Sequence, residues 1–318
     1  MTKDTRSSGF VTVILTLTGW ASVPLFLRHF AESIDAYTSN GIRYGFAALL
    51  WLPVLLWNGK KGTLPKGLLQ KAVMPSVFNC LGQVAFALAH YRTPPGLLTF
   101  GMRTQIVFVG LGAAALFPAE RRLLRSPQFV AGMALVFGGN VLMALLGNVF
   151  QGASGEGFLL AVLAGVLFAA YGLSVRRNMH GQPPILAFSV ISQYTALGMV
   201  TLMLLLAKNR GMVVLSLPRG EIALLLLSSV IGIALGHVFY YVSIARLGIT
   251  VTAGVIQLQP FCVSAASYFL FAERLTAGQW LGGLVALSGA VLMLITQHRL
   301  LRVTTTSDVS TAPTSSRA

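Results

Sequence analysis

The stretch Phe271-Ala272-Glu273-Arg274-Leu275-Thr276-Ala277-Gly278-Gln279-Trp280-Leu281-Gly282-Gly283 closes one apolar run with a Glu-Arg pair and opens another a few residues on. Much the same pattern occurs earlier, as Phe117-Pro118-Ala119-Glu120-Arg121. Beyond it, Gln128, Phe129, Gly132 and Gly138 match Gln279, Trp280, Gly283 and Gly289 at a constant separation of 151 positions, one aromatic standing for the other. The two Glu residues are 153 apart, which puts a two-residue difference into the connecting loop. The chain therefore reads as two related halves.

What the halves are made of follows from composition. Of 318 residues, 55% are apolar and 10% charged, with a mean hydropathy of +0.76. Soluble domains carry about 25% charge, so this chain reads as an integral membrane protein. Apolar runs fall at 10–27, 38–57, 73–90, 96–117 and 129–146, and again at 157–175, 184–206, 222–245, 250–271 and 278–295. Each is close to the roughly 20 residues that a bilayer helix needs. The fold class expected is all-α, with ten transmembrane helices. Because each half has an odd number of spans, the second enters from the opposite face, giving two inverted five-helix repeats. The expected parts are a cytoplasmic N-terminus at 1–9, a first repeat at 10–146, an external linker at 147–156, a second repeat at 157–297 and a disordered, Thr/Ser-rich cytoplasmic tail at 298–318.

The formal charge of +15 would suggest nucleic acid in a soluble protein. Here the basic residues sit in short loops. With both termini in the cytoplasm, 15 of the 23 Lys and Arg lie inside and 6 outside, as positive-inside orientation in a bacterial-type inner membrane requires. No nucleic-acid partner is expected. The first run lacks a small-residue cleavage site and nine more follow, so it is read as a retained helix. Cys80 and Cys262 both lie in apolar runs and read as buried free thiols; neither a metal site nor a cofactor is expected.

The pattern Gly19-Trp20-Ala21-Ser22, Arg43 in the second run, and above all Ala272-Glu273-Arg274-Leu275-Thr276 with Gly278-Gln279-Trp280-Leu281-Gly282-Gly283 and Ser288-Gly289-Ala290 resembles the EamA-type transporters of the drug/metabolite transporter superfamily. The resemblance covers both halves, about residues 10 to 297, and implies transport of a small molecule. It says little about which one, since relatives carry amino acids, other metabolites, nucleotide sugars or drugs. Pro118 and the basic loop 121–125 depart from the tidier form of the second half.

Polar residues within apolar runs carry the functional reading, because an ionisable group at mid-bilayer costs about 3 kcal/mol or more unless it faces protein or water. Arg103 lies roughly 12 Å into its run at about 1.5 Å per residue, near the midplane. Arg43 lies nearer the outer face, where snorkelling would serve and a structural role is expected. Neither has a carboxylate within two turns, and all eight Asp and Glu stand at run ends, in loops or in tails. Carbonyls and Gln side chains, or an anionic substrate, would have to satisfy the guanidinium. Pro24 and Pro260 free the carbonyls of Trp20 and Ile256. Gln257 and Gln259 stand beside the second of these, at the depth of Arg103 in the matching span. His237, preceding Tyr240 and Tyr241, reads as the strongly buried group that titrates near neutrality, either packed neutral against a carbonyl or coupled to protons. Trp20, Phe168, Tyr171 and Tyr241 would wall a cavity or pack the core.

Glu120 and Glu273 are expected to clasp the fourth span to the fifth and the ninth to the tenth, and Gly282, Ala286 and Ala290 form a close-packing face, within the chain or at a dimer seam. The overall expectation is an exporter or exchanger of a small anionic or zwitterionic metabolite, working by alternating access as a monomer or homodimer. A multidrug exporter of the same fold is the alternative. It is disfavoured by the lack of a membrane-embedded carboxylate. Gly152-Ala153-Ser154-Gly155 also resembles the nucleophile motif of rhomboid proteases, with His237 as the partner base. Ser154 reads better as a helix N-cap in the linker.

Overall fold

A computed structural model describes residues 3–146, 154–247 and 249–310, and every regular element in them is helical. In chain order these are α1 (Lys3–Phe30), α2 (Ala36–Lys60), α3 (Leu68–His90), α4 (Pro95–Gly101), a 3-10 turn (Met102–Thr104), α5 (Gln105–Leu116) and α6 (Pro127–Leu146). The second half has α7 (Ser154–Asn178), α8 (Pro184–Leu206), α9 (Arg219–Ser229), a π-helical segment (Val230–Leu235), α10 (Gly236–Leu247), α11 (Ile249–Ile256), α12 (Gln259–Phe271) and α13 (Ala277–Ser310).

Nine helical stretches among the described residues are long and apolar enough to cross a membrane. The run expected at 38–57 is not among them. It corresponds to α2, whose 25 residues reach about 37 Å at 1.5 Å per residue. Its first half is polar because that half faces protein: Thr38, Ser39, Asn40 and Arg43 are all buried. The helix starts on Asp35, which accepts from the Tyr37 and Thr38 amides and the Thr38 hydroxyl and so caps its open N–H groups.

Packing between the halves follows a pattern. The most extensive helix pairs are α6 with α13, α3 with α7, α2 with α8 and α1 with α10. Exchanging equivalent spans between the halves maps this set onto itself: α3 on α7 becomes α10 on α1, and the other two pairs map onto themselves. Equivalent helices also run antiparallel where they meet. Gly132 lies against Gly289 and Gly139 against Gly282, so stepping forward in α6 is stepping back in α13. A Cβ on Gly282 would come within 2.6 Å of the Gly139 carbonyl oxygen, so the backbones touch and only glycine fits. The small face of α13 is therefore used within the chain. Likewise Gly41 meets Met203 and Gly45 meets Val200 between α2 and α8. Outside, large apolar side chains such as Leu205 (73%) and Phe269 (82%) are exposed, as on a surface made for lipid.

Two expectations are corrected by this fold. α13 continues through Ser310, so residues 298–310 are helical rather than disordered; no Gly or Pro interrupts them, and propagating a helix already begun gains one hydrogen bond per residue. Residues 311–318 of the tail, like 147–153 of the linker, lie outside the described residues. Both cysteines are free, but only Cys80 is part-buried, and Cys262 is exposed, because its face of α12 points outward.

Candidate functional site

The stretches Pro95–Leu116 and Val251–Phe271, expected as the fourth and ninth spans, are both broken, at matching positions. Between α4 and α5 the backbone tightens over Met102–Thr104, where the Thr99 hydroxyl donates to the Pro95 and Gly96 carbonyls and that of Thr104 to Gly101. Between α11 and α12 the helix ends at Ile256 and restarts at Gln259 with Pro260 in its first turn. Arg103 occupies the first break and Gln257 the second.

The two breaks are joined by side chains. Arg103 Nη2 donates to Gln259 Oε1 at 2.7 Å, Nη1 to the Ile256 carbonyl at 3.5 Å and Nε to the Thr99 carbonyl at 3.4 Å. Gln259 Nε2 donates in turn to the Trp20 carbonyl at 2.8 Å. Both carbonyls freed by proline thus find a partner here, that of Ile256 in Arg103 and that of Trp20 in Gln259. Every partner of Arg103 is neutral, so the guanidinium is hydrogen-bonded while its charge stays uncompensated. Gln257 is buried with its Oε1 unpartnered among the described residues. These contacts tie α1, the fourth span and the ninth span at one level.

Aromatic rings wall this level on one side. Trp20 lies 4.9 Å from Tyr240 and 5.5 Å from His237 between ring centroids. Its indole rests on α10 at Gly236, where a Cβ would meet Nε1 at 2.7 Å. His237 stacks on Phe188 at 4.8 Å and holds the Ile233 carbonyl through Nδ1, and Tyr241 meets Phe188 edge-on. His237 is thus a packed ring on a carbonyl. It is not the most buried histidine: His90 is fully buried, bonded through Nδ1 to the Phe86 carbonyl at 2.7 Å. Sequence reading missed it because it stands at the end of an apolar run. Phe188 and Tyr240 were missed as wall residues too. No local signal marks Phe188, while Tyr240 was visible beside Tyr241. Phe168 is elsewhere, edge-on to Phe86 and seated on Gly82 in the α3–α7 core. Tyr171 reaches toward Tyr241 from α7 and packs with the cluster around Leu68 and Ile191.

Arg43 does not snorkel. It is 2% exposed, with Nε donating to Ser228 Oγ at 2.9 Å, and the Ser229 hydroxyl donates to its carbonyl. Serines 228 and 229 immediately precede the π segment, so Arg43 pins α2 to that irregular turn, which a long inward-pointing side chain reaches more easily than the surface.

The two glutamates pair differently from expectation. Glu120 bonds Arg176 at the end of α7, and Arg176 lies over the Phe117 ring at 4.1 Å. Glu273 Oε1 accepts from Arg28 Nε at the end of α1 at 3.0 Å, and its Oε2 from Ser267. Neither clasps adjacent spans: the fourth is joined to the sixth and the ninth to the first. Helices adjacent in sequence are not the closest neighbours in this packing, which is the physical reason for the difference.

An all-helical chain of repeated halves, with broken spans meeting at a basic, aromatic-walled level inside the apolar shell, has the build of a multi-pass membrane transporter. Residues 7–145 and 155–295 each match the EamA-like transporter family. The chain belongs to that family, and hence to the drug/metabolite transporters. A solved crystal structure, described only as that of a protein, is similar with a TM-score of 0.61 at 16% identity, over 93% of this chain and 99% of its own; at that identity it shows a shared fold alone. No curated protein matches the chain.

Proposed function

We propose that the protein moves a small anionic or zwitterionic metabolite, such as an amino acid or organic anion, across the bacterial-type inner membrane as an exporter or exchanger. Both termini are cytoplasmic, α2 is a tenth span, and the two repeats are inverted. Antiparallel packing of equivalent helices, as in α6 with α13 and α2 with α8, supports the inversion, and two opposed halves are what alternating access requires.

The observation that carries the substrate class is Arg103: buried, bonded only to neutral groups, and joined to its place by two long bonds and one short one. A carboxylate or phosphate offers stronger, charge-assisted bonds and can displace those partners. Gln257 and Gln259 then bind polar atoms of the substrate, and Trp20, Tyr240, Tyr241 and His237 wall it. The rival multidrug reading needs a carboxylate in the membrane, and all eight acids stand at helix ends, in loops or in tails. The protease reading finds little support: His237 is engaged by Ile233, Trp20 and Phe188, and Ser154 is the first residue of α7.

Counterflow in proteoliposomes against a panel of labelled amino acids, organic anions and lipophilic cations tests the reading. Uptake of an anion or zwitterion is expected; uptake confined to cations would overturn it. Ser154→Ala is expected to leave that uptake unchanged.

A further inference from the structure

Two ion pairs stand at corresponding places in the two repeats. Arg28 and Arg176 end the first and sixth spans, and Glu120 and Glu273 follow the fourth and ninth. Each pair joins one repeat to the other: Arg28 of the first half holds Glu273 of the second, and Glu120 of the first holds Arg176 of the second. Three spans separate Arg28 from Glu120 and three separate Arg176 from Glu273, so the pairs lie at opposite faces of the membrane. In each pair the carboxylate is the more buried partner, 2% exposed for Glu120 and 16% for Glu273. Two other pairs also cross between repeats, His29 with Glu221 and Arg92 with Glu156, and both leave the carboxylate a third exposed or more.

From this we infer that Glu120–Arg176 and Arg28–Glu273 are the two latches of alternating access, each closing one face and each opening while the other holds. The inference rests on the transport reading above. Contacts between repeats must be remade as the site passes from one face to the other, and a bond crossing between repeats at only one face is of the right kind. Both pairs are made in this structure, and on this inference a molecule with both latched has its site shut from both sides.

The latches are unequal. Ser267 donates to the second oxygen of Glu273, whereas Ala113 and Ala114, which fall at the matching place in the first repeat, have no hydroxyl, and Glu120 Oε2 is without a hydrogen-bond partner among the described residues. The Arg28 end therefore holds by an extra hydrogen bond, whereas at the Glu120 end Arg176 is backed by the Phe117 ring.

Hydrogen exchange of the full chain in lipid nanodiscs, read by mass spectrometry, tests this. In Arg176→Gln, amides of 112–125 and 172–178 are expected to exchange about tenfold faster while those of 24–34 and 267–276 stay within about twofold of wild type, since a lost latch shifts only its own opening equilibrium. Arg28→Gln is expected to do the reverse. Arg176→Lys, which keeps the charge, should stay nearer wild type, and Arg92→Gln, which breaks an exposed pair, should match it. Equal acceleration at both faces, or none, would overturn the latches and leave the pairs as plain structural bonds. Solute flux is measured on the same proteins: if wild type moves no solute, the transport reading fails, whereas one-sided exchange reports on the latches separately.

Discussion

Arg103 keeps a positive charge in an apolar shell because three neutral acceptors converge on it, two of them backbone carbonyls and one the Gln259 amide. Removing a partner from such a buried network leaves other groups unsatisfied, so Gln259→Ala strands the Trp20 carbonyl and one guanidinium N–H. A loss of about 1–3 kcal/mol in stability is expected, seen as a lower midpoint of thermal unfolding in detergent. Gln259→Glu would instead put a carboxylate beside Arg103; at least about tenfold weaker uptake of anions is expected, because the substrate must then compete with a resident counterion. The residue pattern was legible where chemistry is forced. A buried arginine without acids, prolines that free carbonyls and glutamines at the same depth marked the groups involved, though not which of them pair. Phe188 and His90 were not legible, since an aromatic or histidine in an apolar run looks alike whether it faces the site, the core or lipid.

At the scale of helices, the breaks matter most. Pro260 leaves the Ile256 carbonyl to Arg103. Pro260→Ala restores an N–H that can compete with Arg103 for the Ile256 carbonyl; because proline is already tolerated in the first turn of a helix, the expected result is a protein about as stable as wild type, with reduced flux. The break at Met102–Thr104 has no proline to announce it, and neither has the π segment Val230–Leu235, where Gly232 and the β-branched residues around it are weak helix formers but no proline stands. Tertiary bonds meet both, those of Arg103 with Ile256 and Gln259 at the first and that of Ser229 with Arg43 beside the second, which no local pattern reveals. The glycine contact of α6 and α13 is the counterpart in packing: Gly139→Leu is expected to cost about 1–3 kcal/mol or more by overpacking against α13, measured by thermal unfolding.

The whole molecule is two copies of one EamA repeat, and that much stood in the sequence, in the matched Glu-Arg and Gln-aromatic-Gly patterns. Which spans the glutamates join did not, because a pairing between the fourth and sixth spans depends on how the halves dock and not on order along the chain. α2, read as an apolar run over 38–57, is less apolar than the other long helices because its polar first half is covered by α3, α8 and α9. If the repeats are inverted with α2 as a span, reporters fused at residues 1 and 318 both read cytoplasmic and a tag inserted at 147–153 reads external; a tag and a terminus on the same side would refute it. The central claim, that an uncompensated Arg103 anchors an anionic or zwitterionic substrate, is tested most directly by flux of the best panel substrate through Arg103→Gln in proteoliposomes. A loss of at least about tenfold is expected, the loss of one charge-assisted pair, in protein that remains folded. Unchanged flux in folded Arg103→Gln protein would contradict it.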